Sequence, residues 1–150
     1  MTGFNTHTHS EPHFSMQKIY LKGAAFESPQ AAAVFSQDWK PQTTLELDVQ
    51  HEALEGGRYE VVLTVGITAR NADQLAFTLE VEQAALFQIA GFPDDQLEQA
   101  LAAACPSIMF PYLRENVDHL LVKGGYPALT LAPVNFDALY RERNQSSSAA

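Results

Sequence analysis

The chain has 150 residues, 18 acidic against 9 basic side chains for a formal net charge of −9, and one cysteine. That length can bury a core without disulfides or metals, a single cysteine excludes an internal disulfide, and the acidic balance makes nucleic acid and anionic membrane surfaces poor partners. No run of 18 apolar residues is present and the N-terminus lacks the basic start and apolar stretch of a secretory signal, so a cytoplasmic protein without direct membrane insertion is expected.

In chain order, residues 1–13 are polar, include His7, His9 and His13, and show no periodicity, which predicts a disordered tail ahead of a single domain over 14–143. Met16 to Gly23 reads as a first strand, with Lys18 and Lys22 blurring its alternation. Ser28-Pro29 begins a small-residue stretch, and Trp39-Lys40-Pro41 closes a loop. Leu45, Leu47 and Val49 then alternate with Glu46, Asp48 and Gln50 as a half-buried strand. Glu55-Gly56-Gly57-Arg58 offers a tight turn, because glycine accepts the positive φ that short hairpins need.

The next strand is the clearest. Tyr59, Val61, Leu63, Val65, Ile67 and Ala69 fall on one face, and Glu60, Val62, Thr64, Gly66 and Thr68 on the other. Asn71-Ala72-Asp73 turns the chain, and Leu75, Phe77, Leu79 and Val81 repeat the pattern opposite Thr78, Glu80 and Glu82. Four strands joined by short turns predict an antiparallel meander, one face packed and one partly wet.

After Gly91 the period becomes helical. Pro93-Asp94-Asp95 marks a helix start, with acids at the positive end of the helix dipole, and Leu97, Leu101, Ala104 and Ile108 recur at helical spacing. Pro106 and Pro111 argue for two segments or one kinked unit ending near Lys123, before Gly124-Gly125. Residues 126–134 form an extended connection. Asn135 can cap a last helix whose apolar residues Phe136 and Leu139 share one face, and 144–150 read as a free tail. The class is therefore α+β, a four-stranded antiparallel sheet packed with two principal helices.

Surplus apolar surface predicts self-association. Val62 and Ala76 fall on the open sheet face, and Ile108, Met109, Phe110, Val117, Leu120, Leu121 and Val122 are apolar around much of one helix. Residues 27–99 carry 13 acidic and 3 basic side chains while the remainder is near neutral, which favours a basic protein partner for that part.

Few constellations point to chemistry. Cys105 and His119 are a nucleophile and a base by type, with no orienting third group. Asp94-Asp95 and Glu80/Glu82 are paired acids, at a helix start and on a wet strand face. His7, His9 and His13 lack a fixed geometry for a metal, and there is no phosphate-binding Gly-x-x-x-x-Gly-Lys-Ser/Thr loop. No enzyme and no cofactor are expected.

Leu131-Ala132-Pro133-Val134-Asn135-Phe136-Asp137-Ala138-Leu139 closely resembles a signature of the SecB family of protein-export chaperones. Phe110-Pro111-Tyr112-Leu113-Arg114 is similar to that family's helix segment, Asp38-Trp39-Lys40-Pro41 to its first loop, and Phe87-Gln88-Ile89-Ala90-Gly91 to its sheet-to-helix link. The likeness runs in order from about Phe14 to Leu139.

This resemblance implies a cytoplasmic homotetramer, a dimer of dimers with helices at the centre and sheets outward. It implies an ATP-independent holdase that keeps unfolded preproteins translocation-competent and delivers them to the SecA motor of the Sec pathway. Such a protein acts by mass action on unfolded chains, and aromatic walls suit it because they give large contact area at low rotamer cost. The family's client grooves lie between sheet, main helix and connecting loop, and matching segments here hold Phe26, Trp39, Phe77, Phe110, Tyr112, Tyr126, Leu129 and Leu131. Ordinary packing is the simpler role for Phe77 or Phe110 alone, whereas Trp39, Tyr126 and Leu129 lie in predicted loops.

Contacts to the basic, zinc-bearing tail of SecA correspond to Glu27 and Glu80, with Glu82 and Glu60 placed to compensate for Gly23 and Thr78, which depart from the family pattern. Zinc belongs to that partner. Other readings are a self-assembling acidic adaptor for a folded basic protein, a SecB-like chaperone dedicated to one client such as a toxin–antitoxin system, and a small cysteine hydrolase using Cys105.

Overall fold

The alternation over 59–69 is kept in space: Val61, Leu63, Val65, Ile67 and Ala69 are buried on one face of β3 (Arg58–Asn71). The structure, a computed structural model, describes residues 11–149 and the side chains of 11–145, so the tail expected over residues 1–13, with His7 and His9, lies almost wholly outside the described residues. The sheet is completed by β1 (His13–Glu27), β2 (Gln42–Ala53) and β4 (Gln74–Ala90), all antiparallel neighbours in the order β1-β4-β3-β2.

That order corrects the meander. Only β2, β3 and β4 follow one another by hairpins; β1 lies beyond β4, and the segment 28–41 crosses from one sheet edge to the other, carrying the short helix α1 (Ala31–Phe35). Three strand spacings are ~14 Å, an easy span for such a segment but not for a tight turn. β1 is also longer than its sequence signal. Its register against β4 shifts between Met16 and Lys18 and again between Leu21 and Gly23, and each shift resets which face a residue meets. β4 runs through Phe87-Gln88-Ile89-Ala90, read from sequence as a link.

Both hairpin turns follow their residues. Gly56 and Gly57 have φ of 74° and 73°, and Ala72 and Asp73 have φ of 52° and 64°, so a two-residue left-handed turn joins Asn71 to Gln74. Next to it the β3–β4 register slips, leaving Ala76 without an opposite residue. Ala76 is consequently buried in the core, not on the open face as the sequence implied, whereas Val62 is half-buried on the outer face.

Helix α2 (Asp94–Gln99) starts after Pro93 and passes through a π turn (Ala100–Ala104) into α3 (Cys105–Lys123), forming one unit. The wider turn falls immediately before Pro106, which takes a first-turn position of α3 where its missing donor costs least. Pro111 sits inside α3, and nearby Ser107 Oγ donates to Ala103 O at 2.7 Å. Cys105, Met109, Leu113, Val117 and Leu121, four apart, bury one stripe against β3 and β4. Each fully buried leucine there contributes ~1.5–3 kcal/mol. Ile108, Tyr112 and Val122 on the other side are 40%, 44% and 60% exposed. Helix α4 (Phe136–Ala149) is capped by Asn135 Oδ1, which accepts from Ala138 N at 3.0 Å, and it continues past Asn144, where a free tail was expected.

Candidate functional site

Tyr126 is the hub of an aromatic cluster. Gly124 N and Tyr126 N donate to Leu120 O and Leu121 O, and Gly125 at φ 89° turns the chain out of α3, which delivers the Tyr126 ring to the sheet. Its centroid lies 4.9 Å from Phe77, 5.2 Å from Phe35 and Trp39, and 6.3 Å from Phe26. The hydroxyl donates to Ala76 O at 3.0 Å and lies 2.6 Å from Ser28 Oγ. A β-carbon at Gly124 would overlap the Phe26 ring, and one at Gly125 would stand 2.9 Å from the Phe35 ring, so the glycine pair makes room for two of the aromatics.

Two polar side chains fix the loops of this cluster. Asn71, 1% exposed, donates from Nδ2 to Gln37 Oε1 and Asp38 O, and its Oδ1 accepts from Lys40 N. Asp118 Oδ1 on α3 accepts from both Leu129 N and Thr130 N. Leu129 and Leu131 are half-buried against the core.

Of the predicted client-binding residues, Phe26, Trp39, Phe77 and Tyr126 thus meet, with Leu129 and Leu131 on the connection leading away from Tyr126. Phe110 and Tyr112 do not join them. Phe110 is 5% exposed beneath Arg114 and packs on Phe136, while Tyr112 stands exposed with Ile108 on the opposite side of α3 from the core stripe. Phe35, 51% exposed, was missed: it is the lone aromatic at the end of a run of alanines, with buried Val34 anchoring the helix beneath it.

A concavity of about 610 Å³, away from this cluster, also escaped sequence reading. Val49, Tyr59, Leu97 and Leu101 form an apolar lining between β2, β3, α2 and α4, and Asp94, Glu98 and Arg143 supply charge. Tyr140 OH donates to Glu98 Oε1 across it.

The outer sheet face is acidic in rows set by register. Glu80 lies beside Gly66, which lies beside Glu46; Glu82 lies beside Thr64, which lies beside Asp48; Glu27 pairs with Thr78. Glu82 Oε1 comes within 2.5 Å of where a Gly23 β-carbon would stand, so a carboxylate occupies the space left by the missing side chain.

Glu60 differs. Lys22 Nζ pairs with it at 2.8 Å and Tyr20 donates its hydroxyl to it, reaching over Ala84. The lysine first and the tyrosine second hold the Glu60 carboxyl below its usual range, while burial and the Glu60 hydrogen bond push the Tyr20 hydroxyl up to about 12. Glu60 is therefore committed within the chain, which corrects its assignment as a compensating acid; Lys22–Glu60 is the one ion pair among the described residues.

Catalytic groups do not assemble. Cys105 is buried, which pushes its thiol up to about 12, and His119 follows 14 residues later on the same helix, ~21 Å along its axis. Among the described residues no three His, Cys, Asp or Glu side chains come together as metal ligands, and no helix is long and apolar enough to cross a membrane.

A four-stranded antiparallel sheet covered on one face by a long helix, with carboxylates on its outer face, defines an α+β protein. The family model described as "Preprotein translocase subunit SecB" matches residues 7–147. The protein-export protein SecB of Hahella chejuensis is 49% identical over 149 residues, covering 97% of this chain and 94% of its own, and that of Pseudomonas syringae pv. syringae is 48% identical over 139 residues, covering 93% and 86%. The chain belongs to the SecB family and is a non-enzymatic protein-export chaperone. Among solved structures, a Mycobacterium tuberculosis SecB-like chaperone in complex with a ChAD peptide from the HigA1 antitoxin matches with a TM-score of 0.67 at 22% identity, over 81% of this chain and 90% of that one, a likeness of fold.

Proposed function

We propose that this chaperone holds unfolded preproteins in the cytoplasm without ATP, binding them at the Tyr126 cluster through Phe26, Trp39, Phe77, Leu129 and Leu131, with Phe35 as a further contact. The observation that carries this reading is an aromatic cluster whose inner rings, Phe77 and Tyr126, belong to the core, and whose outer rings, Phe35 and Trp39, are exposed and half-buried between two loops. Unfolded chains expose apolar side chains that such rings cover at low entropic cost. The cleft beside Tyr140, at the opposite end of β3, offers a separate apolar surface to a long client.

Ile108, Tyr112 and Val122, an exposed stripe on α3 whose apolar area another copy would bury, support self-association; the dimer of dimers with sheets outward is what membership of the family adds to that reading. Tyr112 then serves the interface, and Phe110 the core beneath it. The outer face, through Glu27, Glu80 and Glu82, receives the basic tail of SecA. Carboxylates without ion pairs give fast, salt-sensitive contact of the kind delivery needs.

The test is light-scattering mass on a sizing column, with a slow-folding preprotein added either unfolded or native, without ATP. The expected result is co-elution of the unfolded form alone with a species of about four chains. Binding of the native form alone would transfer the lead to the acidic adaptor reading.

A further inference from the structure

The connection between α3 and α4 has little backbone bonding of its own. Tyr126 N closes α3 on Leu121 O, and Leu139 N opens α4 on Asn135 O. Between them, among the described residues, the backbone of 127–134 makes no backbone–backbone hydrogen bond. Its amides find one partner: Asp118 Oδ1, which accepts from Leu129 N and Thr130 N at 3.1 Å each.

Thr130 is also strained. Its φ of 51° lies in the left-handed region that β-branched residues rarely adopt, and such a residue persists only where its surroundings hold it. Here the holding group is the Asp118 carboxylate. On either side of Thr130, Leu129 and Leu131 lie half-buried on the core, covering apolar surface.

We propose that Asp118 is a positioning residue for client capture: its carboxylate latches the 127–134 connection over apolar surface of the cleft, and release of the latch opens that surface to an unfolded chain. The proposal rests on the reading of the Tyr126 cluster as the client site. A latched connection occupies surface that the client needs, so apparent affinity scales with the fraction of molecules in which it is released. Two opposed features set that fraction, the pair of hydrogen bonds to a charged acceptor and the strain at Thr130.

The experiment uses the full chain in three variants. Asp118→Ala removes the acceptor; Asp118→Asn keeps an amide oxygen in its place; Thr130→Asn leaves the latch and supplies a residue that tolerates the left-handed conformation. Amide hydrogen exchange of the 127–134 peptide, acrylamide quenching of Trp39, the chain's one tryptophan, and binding of a reduced, alkylated preprotein that cannot fold are the readouts.

In Asp118→Ala, exchange at Leu129 and Thr130 should accelerate and the unfolded preprotein should bind about tenfold tighter. Asp118→Asn should restore most of the parent behaviour, and Thr130→Asn should slow exchange and weaken binding. Unchanged exchange in Asp118→Ala overturns the latch. Faster exchange with unchanged affinity overturns its role in capture, provided that Tyr126→Ala abolishes binding. Binding that survives Tyr126→Ala instead sinks the cleft reading, and the capture role falls with it.

Discussion

Asn71 holds the peptide on both sides of Trp39. Its Nδ2 donates to Asp38 O at 3.0 Å and its Oδ1 accepts from Lys40 N at 2.7 Å, with Gln37 Oε1 completing the set at 3.1 Å. A buried amide at the end of β3 thereby aims an indole that is 32 residues away in sequence at the ring of Tyr126, 5.2 Å distant.

Asn71→Ala should leave the Lys40 amide and the Asp38 carbonyl, on two exposed loop residues, without their protein partner. The expected loss is ~1–2 kcal/mol of stability, because water replaces part of hydrogen bonds worth ~0.5–1.5 kcal/mol each. Urea unfolding followed by Trp39 emission measures it. Native emission should also shift to longer wavelength as the indole loosens, and an unshifted spectrum with parent stability would dismiss the clamp.

Tyr126 separates ring from hydroxyl. Tyr126→Phe keeps the aromatic contacts and loses the bonds to Ala76 O and Ser28 Oγ, so it should cost ~1–2 kcal/mol in stability and leave preprotein affinity nearly intact. Tyr126→Ala removes the hub of the cluster and should weaken preprotein binding by at least about tenfold. Equal effects of the two substitutions on binding would assign the affinity to the hydroxyl instead.

These two residues show what the sequence made legible. Residues 59–69 declared β3 by strict alternation because one face of that strand meets only the core, and Ala72-Asp73 declared a turn by position. Trp39 and Tyr126 stood out as aromatics in loops, but Tyr126 is 4% exposed and packs in the core, a structural duty that its loop position concealed. β1 was blurred because two register shifts break its alternation, and its place beside β4 is decided by long-range pairing that carries no local signal. The continuity of the helix past Pro106 depends on a π turn formed by plain alanines and a leucine. Asn71 looked like a turn residue, and its reach to residues 37–40 follows from tertiary packing alone. Lys22 and Glu60 were likewise two separate charges until β4 brought their strands within one residue's width.

Cys105 provides a chemical test of the non-enzymatic reading. Burial pushes its thiol up to about 12 from 9.0, so the native protein should stay unreactive toward a disulfide reagent at pH 8 and react stoichiometrically in denaturant. The folded state favours the protonated form, so this group's contribution to stability is complete below about 9 and is lost as pH rises toward about 12. Cys105→Ala should remove that alkaline slope and retain chaperone activity. Rapid native labelling would return Cys105 to consideration as a nucleophile.

The acidic face makes its own prediction through the difference between Glu60 and Glu80. Glu60 is depressed by Lys22 and Tyr20, so its stabilising effect is present above the ordinary carboxylate value of 4.5 and is lost as pH falls through its lowered folded value. Glu60→Gln should therefore flatten the acid limb of the stability curve without weakening attachment to a basic peptide, because that carboxylate is already paired. Glu80→Lys should do the opposite. It leaves the Lys22–Glu60 bridge and the core untouched, but puts a positive charge between Glu27, Glu46 and Glu82 on the outer face. A single exposed pair is worth only ~0.2–1 kcal/mol, but a reversal turns several attractions into repulsions together. Binding of a lysine-rich peptide at low salt should fall about tenfold or more, with a shallower salt dependence, while unfolded preprotein binding is unchanged. Parallel loss of both activities in Glu80→Lys would mean that one surface serves both partners, and the separation of the aromatic cleft from the carboxylate face would have to be abandoned.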